Sequence, residues 1–176
     1  MLRLLLLRHA KSSWAEPGMA DRDRPLASRG RKAGALMGRA MAERGLVPDL
    51  ILCSPTRRTR ETLDALKPNL GKKTAGTIVD ELYEPGAADY RAVIAANGGD
   101  ADTVLVIAHN PTIQATAIGL AGAGDKSLIA ALAGKFPTAA LAVLDFANET
   151  TWSSLSAGAG RLTAFLTPAD LGGDDD

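Results

Sequence analysis

The 176-residue chain contains a single cysteine, Cys53. One thiol cannot form an intramolecular disulfide, and it cannot supply a metal cluster that is built from several cysteines. Because stable disulfides belong to oxidising compartments, the low cysteine content favours a reducing one. The composition therefore argues against a small secreted protein that is held together by disulfides.

The chain also lacks net charge, because 20 Lys and Arg residues balance 20 Asp and Glu residues. A protein that binds nucleic acid or anionic membranes in general needs an excess of basic residues. We therefore expect neither nucleic acid nor a membrane surface as a partner. Zero net charge is still compatible with a small, local, positive pocket.

Long apolar runs are absent as well, since no stretch approaches the roughly 18 residues that a membrane span requires. The apolar run at residues 4–7 is too short for a signal peptide, and Arg8 and His9 end it.

We find no internal repeat and no linker that would separate two domains. We expect one domain over residues 1–170, an acidic disordered tail at residues 171–176, and a cytoplasmic location.

The chain does contain one pattern three times: an apolar strand, then polar residues at its carboxyl end, then a helix. The polar residues that follow the three strands are Arg8 and His9, then Ser54 with several arginines after it, and then His109 with Asn110 and Pro111. Strands that alternate with helices predict an α/β fold with a parallel sheet, in which ligands bind beyond the carboxyl ends of the strands. We therefore expect these polar residues to meet at one place.

Hydrophobic periodicity and turn residues predict the individual elements. The predicted strands cover residues 2–7, 49–53, 77–79, 103–108, 139–146 and 161–166, and the predicted helices cover residues 28–44, 55–67, 87–96 and 111–120. Ser28, Ser54 and Asn110 are the expected N-caps of three helices, since such polar side chains bond to the first turn. Residues 122–134 are rich in Ala and Gly and are compatible with more than one structure.

The two histidines of the chain, His9 and His109, each directly follow a buried strand. Neutral imidazole has a lone pair and a pKa near neutrality, so it can attack phosphorus without a separate base. Guanidinium groups stay protonated and bind phosphoryl oxygens in a bidentate way. The pattern predicts a phosphate-transferring pocket in which His9 is the nucleophile. Arg8, an arginine of the second helix and a protonated His109 would hold the oxygens.

Structural roles alone are also compatible with these residues. Arg8 and His9 could simply end a strand, His109 could be a buried histidine, and the arginines of the second helix could form a solvated face. A metal site on the two histidines lacks a third ligand at matching spacing. Carboxylate clusters of the kind that bind Mg²⁺ are not found at the strand ends. We therefore expect neither a metal nor a cofactor.

Three segments, in this order, resemble the histidine phosphatase superfamily. The segment LLLRHAKSSW is similar to its Arg-His-Gly signature, residues 54–62 to its block Ser-x-x-x-Arg-x-x-x-Thr, and VLVIAHNP to its block with the second catalytic histidine. Aligning Ser54 and Thr62 with that block selects Arg58, rather than Arg57, as the phosphate-binding arginine. The resemblance implies a phosphoglycerate mutase-like fold, which is a three-layer α/β/α sandwich with a mostly parallel central sheet.

Within the superfamily, the chain resembles the small SixA-type phosphohistidine phosphatases. The resemblance rests on the short chain length and on the segments RHAKSSW, Asp23-Arg24-Pro25-Leu26, Arg29-Gly30 and Leu82-Tyr83 after Glu81. It implies a phosphatase that works through a phosphohistidine intermediate on His9, with Arg8, Arg58 and His109 on the phosphoryl oxygens. The implied substrate is a phosphorylated protein of the histidine phosphotransfer type.

Two positions depart from the family pattern, and one role stays open. Ala10 replaces the usual glycine, and Ala15 replaces an asparagine of some relatives, which removes one phosphate contact and argues against a mutase. Glu81 occupies the position of the family's acid glutamate, but it is equally compatible with a surface charge. An imidazole leaving group needs such an acid less than an alkoxide does.

Two other functions are compatible with the sequence. The chain could hydrolyse small phosphomonoesters such as sugar or nucleotide phosphates. It could also be a phosphoprotein-binding module without turnover, although the complete set of two arginines and two histidines argues against this. The oligomeric state and the contribution of residues 22–31 do not follow from the sequence.

Overall fold

The computed structural model of the protein describes residues 1–14, 16–83 and 88–174. The strands that it describes are β1 (Arg3–Arg8), β2 (Leu50–Cys53), β3 (Ala75–Ile78), β4 (Thr103–Ala108), β5 (Ala121–Gly124), β6 (Leu141–Phe146) and β7 (Gly160–Leu166). The helices are α1 (Ser28–Glu43), α2 (Arg57–Leu66), α3 (Arg91–Asn97), α4 (Thr112–Leu120) and α5 (Lys126–Gly134).

These strands form one mixed sheet in the order β3-β2-β4-β1-β6-β7-β5. The four strands β3, β2, β4 and β1 run parallel, β6 is antiparallel to its neighbours β1 and β7, and β5 is parallel to β7. In the parallel part, Cys53 pairs with Ile107 and Arg8 with Ala108. The carboxyl ends of β1, β2 and β4 therefore lie side by side, as the sequence predicts.

The central strand β1 is buried on both faces, which explains its uninterrupted run of leucines. Leu4 and Leu6 pack on the side that contains α3, α4 and α5, whereas Leu5 and Leu7 pack against α1 and α2. All four side chains are fully buried, and burial of each contributes about 2 kcal/mol to stability. The sheet is thus covered on both faces, and the predicted three-layer α/β/α sandwich is confirmed.

The prediction that Ser54 caps the second helix is wrong. Helix α2 begins at Arg57, and its N-cap is Thr56, whose side chain accepts a hydrogen bond from the backbone N–H of Thr59. The hydroxyl of Ser54 instead bonds to the ring of His109. A side chain at the end of one strand can form a hydrogen bond with a residue at the end of the neighbouring strand. The local sequence does not reveal that alternative.

Two further predicted caps are also wrong by one residue. Helix α4 begins at Thr112 with Pro111 as its N-cap, and no side chain caps it. The side-chain amide of Asn110 donates to the carbonyl of Phe136, and its Oδ1, the atom that would cap the helix, has no hydrogen-bond partner among the described residues. Ser28 is the first residue of α1, and Ala27 is the N-cap.

The Ala- and Gly-rich region resolves into β5 and α5, and the side chain of Asp125 caps α5 by accepting from the N–H of Ser127. The predicted third helix appears as α3, while its predicted first residue, Ala87, lies outside the described residues.

At the carboxyl end, Leu171 lies in a short 3-10 turn and packs against the core on the α1 side of the sheet. Residues 175 and 176 lie outside the described residues, so the domain bounds and the disordered tail stay predictions. Within the described part of the chain, no helix has the length and apolar character that crossing a membrane requires.

Candidate active site

His9 is the first residue after β1, and two hydrogen bonds fix its position and its tautomer. Its backbone N–H donates to the carbonyl of Ala108 on β4 at 3.0 Å. Its ring Nδ1 lies 2.8 Å from the carbonyl oxygen of Ala10. Because a carbonyl only accepts, Nδ1 carries the proton and Nε2 keeps the lone pair. The ring is therefore arranged for attack through Nε2.

The pKa of His9 is lowered to about 4. Burial is the main cause, because only 8% of the residue is exposed, and the nearby cations Arg58, Arg8 and Arg24 lower it further. The bond to the Ala10 carbonyl acts in the opposite direction. At pH 7 the imidazole is neutral, so it is a competent nucleophile without help from a base.

Thr62 connects the turn after His9 to helix α2. Its Oγ1 accepts a hydrogen bond from the backbone N–H of Ala10 at 2.9 Å, and its hydroxyl donates to the carbonyl of Arg58 at 2.7 Å. One buried side chain thus sets the distance between the histidine and the helix that carries the arginine.

Arg58 lies in the first turn of α2 and is 6% exposed. Its Nη1 donates to the backbone carbonyl of Asp21 at 2.7 Å, and its Nη2 donates to Oδ2 of Asp21 at 3.0 Å. Arg57 and Arg60 are exposed, and Arg57 pairs with Glu61 at 2.9 Å. The phase of the helix therefore turns Arg58 to the site and leaves the other two arginines on the solvated face.

His109 follows β4 and faces the same point. Its Nε2 lies 2.7 Å from Oγ of Ser54, and its Nδ1 lies 3.4 Å from Nη2 of Arg58. Because a guanidinium only donates, Nδ1 is the acceptor and Nε2 carries the proton that is donated to Ser54. The centroid of its ring is 5.3 Å from that of the His9 ring.

The pKa of His109 is lowered to about 3, first by burial and then by His9 and Arg58. The ring is therefore neutral at pH 7. A phosphoryl dianion beside it would raise that pKa, because an adjacent negative charge favours the imidazolium. The predicted protonated form of His109 thus requires the anion.

Arg8 ends β1, and its Nη1 donates to the carbonyl of Phe136 at 2.9 Å. The side-chain amide of Asn110 donates to the same carbonyl at 3.3 Å. Phe136 follows α5, which lies on the opposite face of the sheet from α2. The Phe136 carbonyl therefore fixes Arg8 from the side of the site that is opposite to α2. Arg8 and Arg58 therefore approach the histidines from two directions.

These side chains line one cavity of about 650 Å³ at the carboxyl ends of β1, β2 and β4. Among its described lining residues, the four that carry a permanent positive charge at pH 7 are Arg8, Lys11, Arg24 and Arg58. Both histidines and the tyrosines Tyr83 and Tyr90 complete much of the wall. Such a concentration of cations in a chain without net charge is suited to binding a small anion.

Glu81 is not brought to this cavity. It is exposed in the 3-10 turn Asp80–Leu82, whereas the next two residues, Leu82 and Tyr83, contribute to the lining. The structure thus gathers four of the five predicted catalytic residues, and the acid role of Glu81 stays a prediction. Ala15, at the position of the family's asparagine, lies outside the described residues.

Several residues of the loop between β1 and α1 contribute to the site, although the sequence did not predict this. Arg24 lines the cavity, donates to Oγ of Ser12 at 2.6 Å and lies 3.4 Å from the ring centroid of Trp14. The motif Asp23-Arg24-Pro25-Leu26 was a signal for Arg24, but it did not reveal a role. No local signal marks Asp21, because two of its three side-chain partners, Arg58 and Tyr83, lie far away in the sequence.

In the described part of the chain, no three His, Cys, Asp or Glu side chains converge in a way that could hold a metal ion.

A family model described as the histidine phosphatase superfamily (branch 1) matches residues 4–92. An uncharacterized protein from Mycobacterium tuberculosis is 35% identical over 166 residues, which covers 92% of this chain and 99% of that protein.

Two solved structures share both fold and sequence similarity. A candidate phosphohistidine phosphatase SixA from Agrobacterium tumefaciens is 36% identical, with a TM-score of 0.77 over 94% of this chain and 97% of that one. A second candidate SixA, from Nakamurella multipartitia, is 32% identical, with a TM-score of 0.78 over 95% of this chain and 96% of that one.

Proposed function

Because the chain belongs to the histidine phosphatase superfamily, we propose that it is a SixA-type phosphatase that removes phosphoryl groups from phosphohistidine on a protein. One observation carries this proposal: Arg8, His9, Arg58 and His109 surround a single cationic cavity. The likeness to two candidate SixA proteins supports the substrate class.

In the first step, Nε2 of His9 attacks the phosphorus of the substrate. A bond forms between Nε2 and phosphorus while the bond from phosphorus to the leaving nitrogen breaks, and the leaving imidazole takes the electron pair. Arg8, Arg58 and His109 stabilise the charge that is spread over the three equatorial oxygens. In the second step, water attacks the phosphoenzyme and releases inorganic phosphate and neutral His9.

The substrate's leaving group fits the lining of the cavity. An imidazole that is already protonated on its other nitrogen leaves as a neutral ring and needs little further help from an acid. An alkoxide needs a proton in the transition state. Among the described residues that line the cavity there is no Asp or Glu to act as such an acid, which favours a substrate of the first kind.

We test the proposal with a substrate panel that compares a phosphohistidine protein or peptide with common phosphomonoesters. We expect preferred turnover of phosphohistidine, a phosphoenzyme that is trapped in acid-free gels for the wild type, and no phosphoenzyme for His9→Ala. Full turnover by His9→Ala would end the proposal. Activity that survives in EDTA would support the further expectation that the enzyme works without a metal.

The second candidate function is hydrolysis of small phosphomonoesters. The cavity volume of about 650 Å³ favours it to some extent, because a phosphoryl group alone fills only a small part of that space. The ratio of kcat/KM on phosphohistidine to kcat/KM on phosphomonoesters separates the two functions. A ratio well above one supports the SixA-type activity, and a ratio well below one supports the second candidate. Glu81→Gln tests the predicted acid role of Glu81 separately, through the loss of activity on esters.

A further inference from the structure

Asp21 connects three parts of the site that are distant in sequence. Its Oδ2 accepts hydrogen bonds from Nη2 of Arg58 at 3.0 Å and from the hydroxyl of Tyr83 at 2.8 Å. Its Oδ1 accepts from Nη1 of Arg24 at 3.2 Å. Its backbone carbonyl accepts a further bond from Nη1 of Arg58 at 2.7 Å. One residue of the loop thus binds side chains from α2, from the segment before α3 and from the loop itself.

The geometry places the Asp21 carboxylate behind the wall of the cavity. Arg58, Tyr83 and Arg24 all line the cavity, whereas Asp21 does not. The carboxylate therefore contacts these three residues from a position outside the lining of the cavity. A carboxylate that lay between Arg58 and His9 would instead compete with the phosphoryl group.

The carboxylate is ionised at any working pH. Burial acts to raise its pKa, but the bonds from Tyr83, Arg58 and Arg24 outweigh it and lower the pKa to about 2. Charge-assisted bonds of this kind are shorter and more directional than neutral ones.

Arg58 depends on Asp21 for its orientation. Its Nε has no hydrogen-bond partner among the described residues, and both of its Nη atoms donate to Asp21. The remaining contact of the guanidinium is the 3.4 Å approach to His109. Bidentate binding of a phosphoryl group requires the planar guanidinium at a defined angle to the phosphoryl oxygens. The contacts that fix the plane of the Arg58 guanidinium therefore determine how strongly it binds the phosphoryl group.

We propose that Asp21 is a positioning residue, whose carboxylate holds Arg58 at the angle at which it meets the phosphoryl group and also fixes Arg24 in the wall of the cavity. The proposal rests on phosphoryl transfer to His9, as given under the proposed function, and does not depend on the leaving group. It assigns a role to the loop between β1 and α1, which the sequence did not explain.

The test uses Asp21→Ala and Asp21→Asn, with Asp23→Asn as the matched control in the same exposed turn. Enzyme in excess is mixed with phosphoramidate, a small phosphoryl donor, and phosphoenzyme formation is followed in a rapid-quench experiment. We expect the rate constant to fall about tenfold or more in Asp21→Ala and less in Asp21→Asn, since small misplacements of a catalytic clamp are costly. Asp23→Asn should keep the wild-type rate constant.

Two further measurements separate a positioning role of Asp21 from other roles. They are the amplitude of phosphoenzyme formation and the affinity of the enzyme for inorganic phosphate. A positioning role lowers the rate constant and leaves the amplitude, which counts competent sites, at the wild-type level. The inhibition constant for inorganic phosphate should stay within about threefold, because loss of one negative charge offsets the poorer geometry.

Three outcomes would overturn the proposal for Asp21: an unchanged rate constant in Asp21→Ala, a loss confined to the amplitude, or faster transfer with tighter phosphate binding. The last outcome would identify the carboxylate as a competitor. Failure of the wild type to form any phosphoenzyme would instead contradict the proposed function, so the two failures are distinguishable.

Discussion

The neutral state of His9 decides the pH range in which the site can work. Attack requires the unprotonated ring, and burial with the neighbouring arginines lowers the pKa of that ring to about 4. The nucleophile is therefore active above that pH and is lost as the pH falls through it.

We predict that kcat/KM on a phosphohistidine peptide declines on the acid side with an apparent pKa near 4 rather than near 6.5. Steady-state rates between pH 3 and 8, on enzyme shown to be folded by circular dichroism, provide the measurement. An acid limb near 6.5 would contradict the environment that we describe for His9.

Ser54 gives a second prediction at the scale of a residue. Its hydroxyl is the partner of His109 Nε2, so Ser54→Ala leaves the half-buried ring of His109 without that partner. The loss of one such bond is equivalent to about tenfold in kcat/KM. Ser28→Ala, on the exposed first turn of α1, is the matched control and should keep full activity. Equal rates for the two variants would show that Ser54 does not orient the ring.

The approach of α1 to the loop after β1 depends on Gly30. A Cβ at this position would overlap the backbone carbonyl oxygen of Lys11, which cannot move without displacing the turn that follows His9. In α4, a Cβ on Gly119 would meet nothing within 4 Å. Close packing therefore requires a glycine at position 30, whereas nothing in the surroundings of position 119 requires one.

We predict that Gly30→Ala lowers the free energy of unfolding by roughly 1–3 kcal/mol, the usual effect of overpacking. Gly119→Ala should leave it unchanged or raise it by up to about 1 kcal/mol, because alanine favours helix more than glycine does. Urea denaturation of both variants checks this pair. Gly30→Ala as stable as Gly119→Ala would show that the helix can shift away from the loop at no cost.

The elements were predictable to different extents, for physical reasons. The strands β1 and β4 follow from short apolar runs, and the position of both histidines follows from where those runs end. The caps were wrong at Ser54 and Asn110, because their side chains form hydrogen bonds to His109 and Phe136 rather than to the first turn of the following helix. Arg58 and Arg57 are neighbours with the same chemistry, and only the family pattern or the helix phase separates them. Asp21 was not predictable, since its role arises from tertiary contacts alone.

On the scale of the whole molecule, two neutral histidines, one buried and one half-buried, make stability dependent on pH. The pKa values of His9 and His109 are lowered to about 4 and about 3 in the folded protein, whereas an unfolded histidine titrates near 6.5. The unfolded state therefore takes up protons first as the pH falls. The stabilising contribution is complete above pH 6.5 and is lost progressively down to the folded-state values.

We predict that the free energy of unfolding falls between pH 6.5 and pH 4, before most carboxylates titrate. Urea denaturation of the wild type and of a His9→Gln, His109→Gln double variant measures this dependence. The variant should lack this slope. A slope that persists in the variant would assign the effect to other groups.

The bond from His9 Nδ1 to the Ala10 carbonyl has a consequence for the covalent intermediate. With Nδ1 committed to the backbone, phosphorus can attach only to the other ring nitrogen. The intermediate should therefore be a single regioisomer, the Nε2- or τ-phosphohistidine, which ³¹P–¹⁵N coupling patterns in NMR distinguish from the π isomer. The backbone carbonyl of one small residue thereby fixes the regiochemistry of the intermediate, because phosphorus enters and leaves at the same ring nitrogen.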